Sequence, residues 1–211
     1  MRKLQTLFFF SLMTLMIFSC KKDEEIPNLD KNGLTKDITN FVPDSIIEKM
    51  KSFGMPIYGG ENPPMLTENG KELKFFVDNF ILLNSNVPSD YPNKQFKNYI
   101  ITLKNQDNNF LKIDFEKVNE DLTSFSVGKG SYIVGSENKF SIFVEVHNVQ
   151  ENTDSEADLV LVISGEKGSE GILNFHQANF MLNDFGDKAN VYMNVGQGRI
   201  IRDTDGVSEY R

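Results

Sequence analysis

The chain has 211 residues, with 22 Lys and Arg against 30 Asp and Glu, for a formal net charge of −8. That balance argues against nucleic acid, whose binding rests on neutralising phosphates with basic side chains, and against electrostatic docking on anionic lipid. A single cysteine and no tryptophan are present, so no internal disulfide can form, and stability must come from burial and backbone pairing.

Cys20, that one cysteine, closes a short oily stretch. Arg2 and Lys3 give a positive start, Leu4 to Phe18 are mostly apolar, and Ser19 stands directly before the cysteine. A helix that stays in a bilayer needs about 20 apolar residues. This run is shorter and is interrupted by Gln5, Thr6, Ser11 and Thr14. A charged start, an apolar middle and a small exit residue read instead as a removable signal. With Ile17-Phe18-Ser19-Cys20, the layout resembles a bacterial lipoprotein signal peptide and its lipobox, although Phe18 is bulkier than usual there. The resemblance implies that residues 1–19 are the signal peptide and that lipid is attached to the thiol of Cys20.

Lys21-Lys22-Asp23-Glu24-Glu25 follow at once. They resemble the surface-export signal of lipoproteins in some Gram-negative bacteria, which implies an outer-membrane protein facing outwards and held by lipid on Cys20. One acyl chain binds a membrane marginally and two or more bind it stably. Lipoproteins of this type resemble the multi-chain case. Without Arg2 and Lys3 the basic residues fall to 20 against 30 acidic ones, a net charge of −10.

Residues 20–40 are polar and charged, with little to bury, and read as a lipidated flexible tether. Residues 41–211 are then expected to form a single β domain opened by one short helix over 45–53. Ser45 and Glu48 have capping-box spacing, and Ile46, Ile47, Met50 and Phe53 fall on one face at helical spacing. Gly54 and Pro56 end the helix, and its apolar stripe is expected to cover the domain. Residues 55–71 hold three prolines and three glycines and read as irregular chain.

Eight strands are predicted beyond that segment: Leu73–Leu83, Asn98–Asn105, Leu111–Val118, Thr123–Val134 with a break at Gly128–Gly130, Lys139–Val149, Leu159–Ser164, Ile172–Leu182 and Val191–Ile201. Tyr99, Ile101 and Leu103 share a face, as do Leu111, Ile113 and Phe115, and so do Phe140, Ile142, Val144 and Val146. Such period-two alternation marks antiparallel sheet with one covered face. Leu159–Ile163 is apolar on both faces and is expected to be the most buried strand. Short turns and no crossover helix predict a mainly β fold, an antiparallel up-and-down meander closing on itself to remove its edges. That architecture is similar to lipocalin-like barrels, although their Gly-x-Trp is absent. A two-sheet β-sandwich is the alternative.

Candidate chemistry is sparse, and no catalytic residue and no cofactor is expected. The thiol is assigned to lipid, and His147 and His176 lie inside predicted strands with no nucleophile elbow nearby. Two histidines are too few for a zinc site. Asp203-Thr204-Asp205-Gly206 resembles the start of a calcium loop, which makes Asp203 and Asp205 weak calcium candidates, but the pattern needs further ligands and a closing glutamate, and no such loop follows. An Asx-rich turn at the domain's end explains them equally well; Asp184 and Asp187 flank another turn. The glycines at 128–130 and 196–198 lack phosphate-loop spacing and read as bulges. Tyr58, Tyr91, Tyr132 and Tyr192 are candidates for stacking on a glycan. These features point to a non-enzymatic module that binds a small hydrophobic or glycan ligand or an envelope protein. The alternatives are an accessory component of an envelope complex and, more remotely, a hydrolase.

Overall fold

The computed structural model describes residues 28–67, 70–120, 122, 125–150 and 155–211. The expected signal peptide, Cys20 and the first part of the expected tether lie outside them. The elements are helices α1 (Lys36–Phe41) and α2 (Asp44–Ser52), then strands β1 (Leu73–Val77), β2 (Phe80–Ser85), β3 (Tyr99–Asp107), β4 (Lys112–Asn119) and β5 (Phe125–Ser136). Strands β6 (Lys139–Gln150), β7 (Ser155–Lys167), β8 (Gly171–Asn183), β9 (Gly198–Asp203) and β10 (Val207–Glu209) complete the chain.

The expected antiparallel barrel is present, nearly closed, with a seam. Hydrogen bonding runs in the order β1-β3-β4-β5-β6-β7-β8-β9-β2. One expected strand, Leu73–Leu83, is therefore two. The chain turns at Asp78-Asn79, where Asn79 has a φ of 47°, a left-handed conformation that asparagine tolerates better than most residues. Strand β10 pairs with the first residues of β8, Val207 opposite Leu173, and a bridge from Tyr210 to Phe75 carries it on to β1. The expected strand Val191–Ile201 is β9, which starts at Gly198, because residues 190–197 form a loop.

Directly paired residues share a face of a sheet, so register sorts the side chains. Phe75, Ile101, Ile113, Phe115, Phe140, Ile142, Leu161, Ile163 and Phe175 fill the barrel. Val160 and Val162, their neighbours on β7, point outwards with Phe143, Ala178, Phe180 and Ile200. This is why Leu159–Ile163 reads as apolar on both faces. Leu111 is the exception to its expected face. It turns the chain before β4 with a φ of 52° and joins the outer cluster.

The outer apolar wall is covered by the N-terminal segment, which corrects two expectations. Residues 34–40 are not tether: Thr35 caps α1 by accepting from the backbone N–H of Ile38 at 3.2 Å, and Leu34 and Ile38 are fully buried. Helix α2 begins at Asp44 behind Pro43, with no side-chain cap. Ser45 is thus already inside the helix, and no capping box forms. Its stripe lies as expected, with Ile47 and Met50 buried and Ile46 and Phe53 packed alongside.

One end of the barrel is plugged. Leu66 enters the core there, and the backbone around it is held by Gln106, which accepts from the Leu66 N–H at 2.7 Å and donates to the Pro64 carbonyl at 2.9 Å. Lys167 also donates to the Met65 carbonyl at 2.7 Å.

Ile38→Ala deletes a fully buried side chain from the outer layer. The expected loss is about 2–5 kcal/mol, read as a lower urea midpoint. An unchanged midpoint would mean that residues 34–41 do not pack on the sheet.

Candidate functional site

The opposite end is different in kind, because the inward positions change from apolar to polar along three strands. On β4 the inward run is Ile113, Phe115, Lys117, Asn119, and all four are buried. On β8 it passes from Phe175 to Gln177 and Asn179, which face Ile163 and Leu161 of β7. On β9 it runs from Ile201 to Arg199, which is paired with Asn179.

Lys117 is the most costly of these residues. It is only 8% exposed. Its ammonium donates to Gln177 Oε1 at 2.9 Å and sits 3.7 Å from the centre of the Tyr99 ring. Among the described residues no carboxylate forms an ion pair with it, and burial alone lowers it from its ordinary 10.5 to about 7. Desolvation without a counter-ion disfavours the charged form, which is the origin of the shift.

Arg199 lies closer to the opening, supported by the loop between β2 and β3. Its Nε is 3.0 Å from Asp90 Oδ2, but off the line a hydrogen bond requires, so the contact is an ion pair. The Asp90 side chain is only 2% exposed. It accepts from Ser85 Oγ at 2.7 Å and Lys94 Nζ at 2.8 Å. Burial alone would raise Asp90, but these two hydrogen bonds and the charge of Arg199 hold it below its ordinary range. The guanidinium carbon is 5.6 Å from the centre of the Phe96 ring, within cation–π range.

Above this polar floor is a cavity of about 500 Å³, walled by Val87–Ser89, Leu159, Met181, Asn190–Asn194, Gln197 and Arg199. The 190–197 loop is fastened at several points. The Gly196 N–H donates to the Met181 carbonyl at 3.0 Å, the Met181 N–H to the Gln197 carbonyl at 2.9 Å, and Lys49 of α2 to the Gly196 carbonyl at 2.9 Å.

The residues singled out from sequence are scattered. Asp203 and Asp205 do come together, joined by Asp78 from the β1–β2 turn, each with an oxygen within 4.8 Å of the others. Burial, and then the neighbouring Asp205, push Asp203 up to about 6. Much of the cluster is occupied internally. Ser208 Oγ donates to Asp203 at 2.7 Å, and Asn79 Nδ2 donates to Asp205 at 2.8 Å. Such a group can share a proton or hold a divalent cation, and it equally serves as a buttress for the seam. Asp184 forms an Asx turn by accepting from the Gly186 N–H at 3.0 Å, and Asp187 accepts from Ser155 Oγ at 2.9 Å and the Tyr192 N–H at 2.7 Å.

His147 bonds to Asp158 at 2.7 Å on the outer face, and that hydrogen bond raises its pKa. His176 bonds to the Asn174 carbonyl at 2.8 Å and is lowered by burial. The four tyrosines make no common platform. Tyr132 stacks on Phe41 of α1 and Tyr58 lies by Ser141 on the outer wall, so only Tyr192 lines the cavity. Sequence reasoning missed Lys117 and Arg199, although both continue apolar period-two runs, which is the signal that could have found them.

The lowered pKa of Lys117 has a stability consequence. The unfolded chain holds this proton to about 10.4, so the native state is penalised in full below pH 7 and relieved as pH rises towards 10. Stability is expected to climb between about pH 7 and 9.5. Lys117→Met is expected to flatten that climb and to gain roughly 1–3 kcal/mol at slightly acidic pH. Denaturation profiles of equal slope in the two proteins would rule out Lys117 as the desolvated group.

No protein-family model, curated protein or solved structure matches the chain. What the molecule does has to follow from its own residues.

Proposed function

We propose that the protein is a lipid-anchored, outward-facing lipoprotein of a bacterial outer membrane whose barrel binds a small ligand at its open mouth and performs no chemistry on it. The anchor rests on the run from Arg2 to Cys20 and the charged residues after it. Binding rests on one observation. The barrel is filled and plugged at one end, yet about 500 Å³ stays open at the other, within the size range of small-molecule sites. The acidic domain gains nothing from lipid head groups, so membrane attachment is assigned to the lipid alone.

The exposed Tyr91, Val191 and Val195 near that mouth favour a second reading, an accessory subunit whose rim is covered by a protein of the envelope. Apolar surface of this kind marks partner sites when it is contiguous. A chain that leaves detergent-extracted envelopes at monomer mass would count against it.

Two experiments test the first reading. Cys20→Ala is expected to move the protein from the membrane fraction to the soluble one, and retention in the membrane would remove the anchor. A thermal-shift screen of the full chain against small acids, amides and oligosaccharides should yield stabilising compounds. Val191→Trp, a change at a 42% exposed rim position, should abolish their shifts by blocking the cavity. Shifts that survive in that variant would place binding elsewhere.

A further inference from the structure

We infer that the mouth cavity is an anion site for small organic carboxylates with an apolar body, and that Arg199 is the group that grips the carboxylate. The inference rests on the mouth being a ligand site and specifies its chemistry.

The first support is an unused fork. Guanidinium carries five N–H donors in a fixed plane. In Arg199 the Nε side is committed to Asp90, while the terminal nitrogens hydrogen-bond to no described residue. Asp90 cannot swing round to cover them, because Ser85 and Lys94 lock its buried carboxylate. Arg199 lines the cavity with its side chain 20% exposed. A planar fork held from behind and open in front matches the two oxygens of a carboxylate.

Local charge is the second support. The chain as a whole carries −8, yet Asp90 beside the mouth is outnumbered by its two cationic neighbours, Lys94 and Arg199. Lys117 lies deeper, linked to the mouth through Gln177, whose amide donates to Asn179 Oδ1 at 3.3 Å. Asn179 in turn pairs with Arg199. Asp90 is shared with Lys94, so the Arg199 charge is not fully cancelled, and a cation beside low-dielectric walls favours an anion there.

The remaining lining fits the other half of such a ligand. Gln197 accepts from the Asn194 N–H at 2.9 Å, which leaves its amide nitrogen as a further donor on the same wall. Leu159, Met181 and Val191 supply an apolar surface for the ligand's body.

The test uses the full chain in lipid nanodiscs with the Met181 methyl carbon labelled. Hexanoate and benzoate are titrated against hexanamide and benzamide, and the methyl shift is followed by NMR. Each acid is expected to bind about 10- to 100-fold more tightly than its amide. Arg199→Gln should abolish that preference, and Arg199→Lys should keep part of it, since charge remains but the fork is lost. Equal binding of acid and amide, or an acid preference that survives Arg199→Gln, overturns the inference and leaves the mouth reading standing. No shift of Met181 with any of the four compounds would sink both. If Arg199→Gln fails to fold, salt decides on the unaltered chain. Acid binding must weaken as ionic strength rises from about 0.05 to 0.5 M while amide binding holds, and salt-independent acid binding overturns the proposal.

Discussion

Asp78 and Asn79 join two strands that sit at opposite ends of the hydrogen-bonded order, β1 beside β3 and β2 beside β9. A two-residue link reaches no more than about 10 Å, so the two ends of a nine-strand path must meet. The sheet therefore has no choice but to curl, and the twist of antiparallel strands supplies the curvature. Where β1 and β2 part company, the C-terminal segment closes the gap: the Tyr210 N–H donates to the Glu170 carbonyl and the Arg211 N–H to the Lys74 carbonyl. The interior, the plug at Leu66 and the polar opening all follow from that closure. Edges that would otherwise invite pairing with another chain are largely used up.

Much of the fold was legible in the sequence because alternation is a local signal. Tyr99, Ile101 and Leu103 face inwards as read, as do Phe140, Ile142, Val144 and Val146, and at the expected break β5 runs on through a bulge where Gly130 has a φ of 63°. Next to it, a side chain on Gly128 would come within 2.2 Å of Val144, which is why the bulge is a glycine. What escaped were features without a local signature. Residues 34–40 are polar by composition, and only the arrival of Leu34 and Ile38 on a distant apolar wall makes them structural. Strand β10 is three residues long and exists because β8 and β1 offer it backbone partners.

The polar opening was missed for the opposite reason, since its signal was present and ran against habit. Lys117 continues the Ile113–Phe115 series and so belongs inside, and Arg199 stands to Ile201 in the same way. A charged residue on an inward register is costly, and a fold keeps one only when something offsets it. Gln177, the Tyr99 ring and Asp90 do part of that work. Their arrangement was invisible beforehand, because the partners come from β3, β8 and the loop after β2, tens of residues apart. The acidic trio at the seam shows the same limit, since Asp78 meets Asp203 and Asp205 only once the strands are paired.

Lys49 reaches from the second helix to the carbonyl of Gly196 at 2.9 Å, and that single contact sits at a mechanical crossroads. The helix belongs to the stretch that leads back towards the N-terminus, whereas Gly196 belongs to the rim. Because Leu34 and Ile38 are buried on the outer wall, a pull along the leading segment would meet the body of the barrel first, and Lys49 would pass only the remainder to the hoop around the aperture.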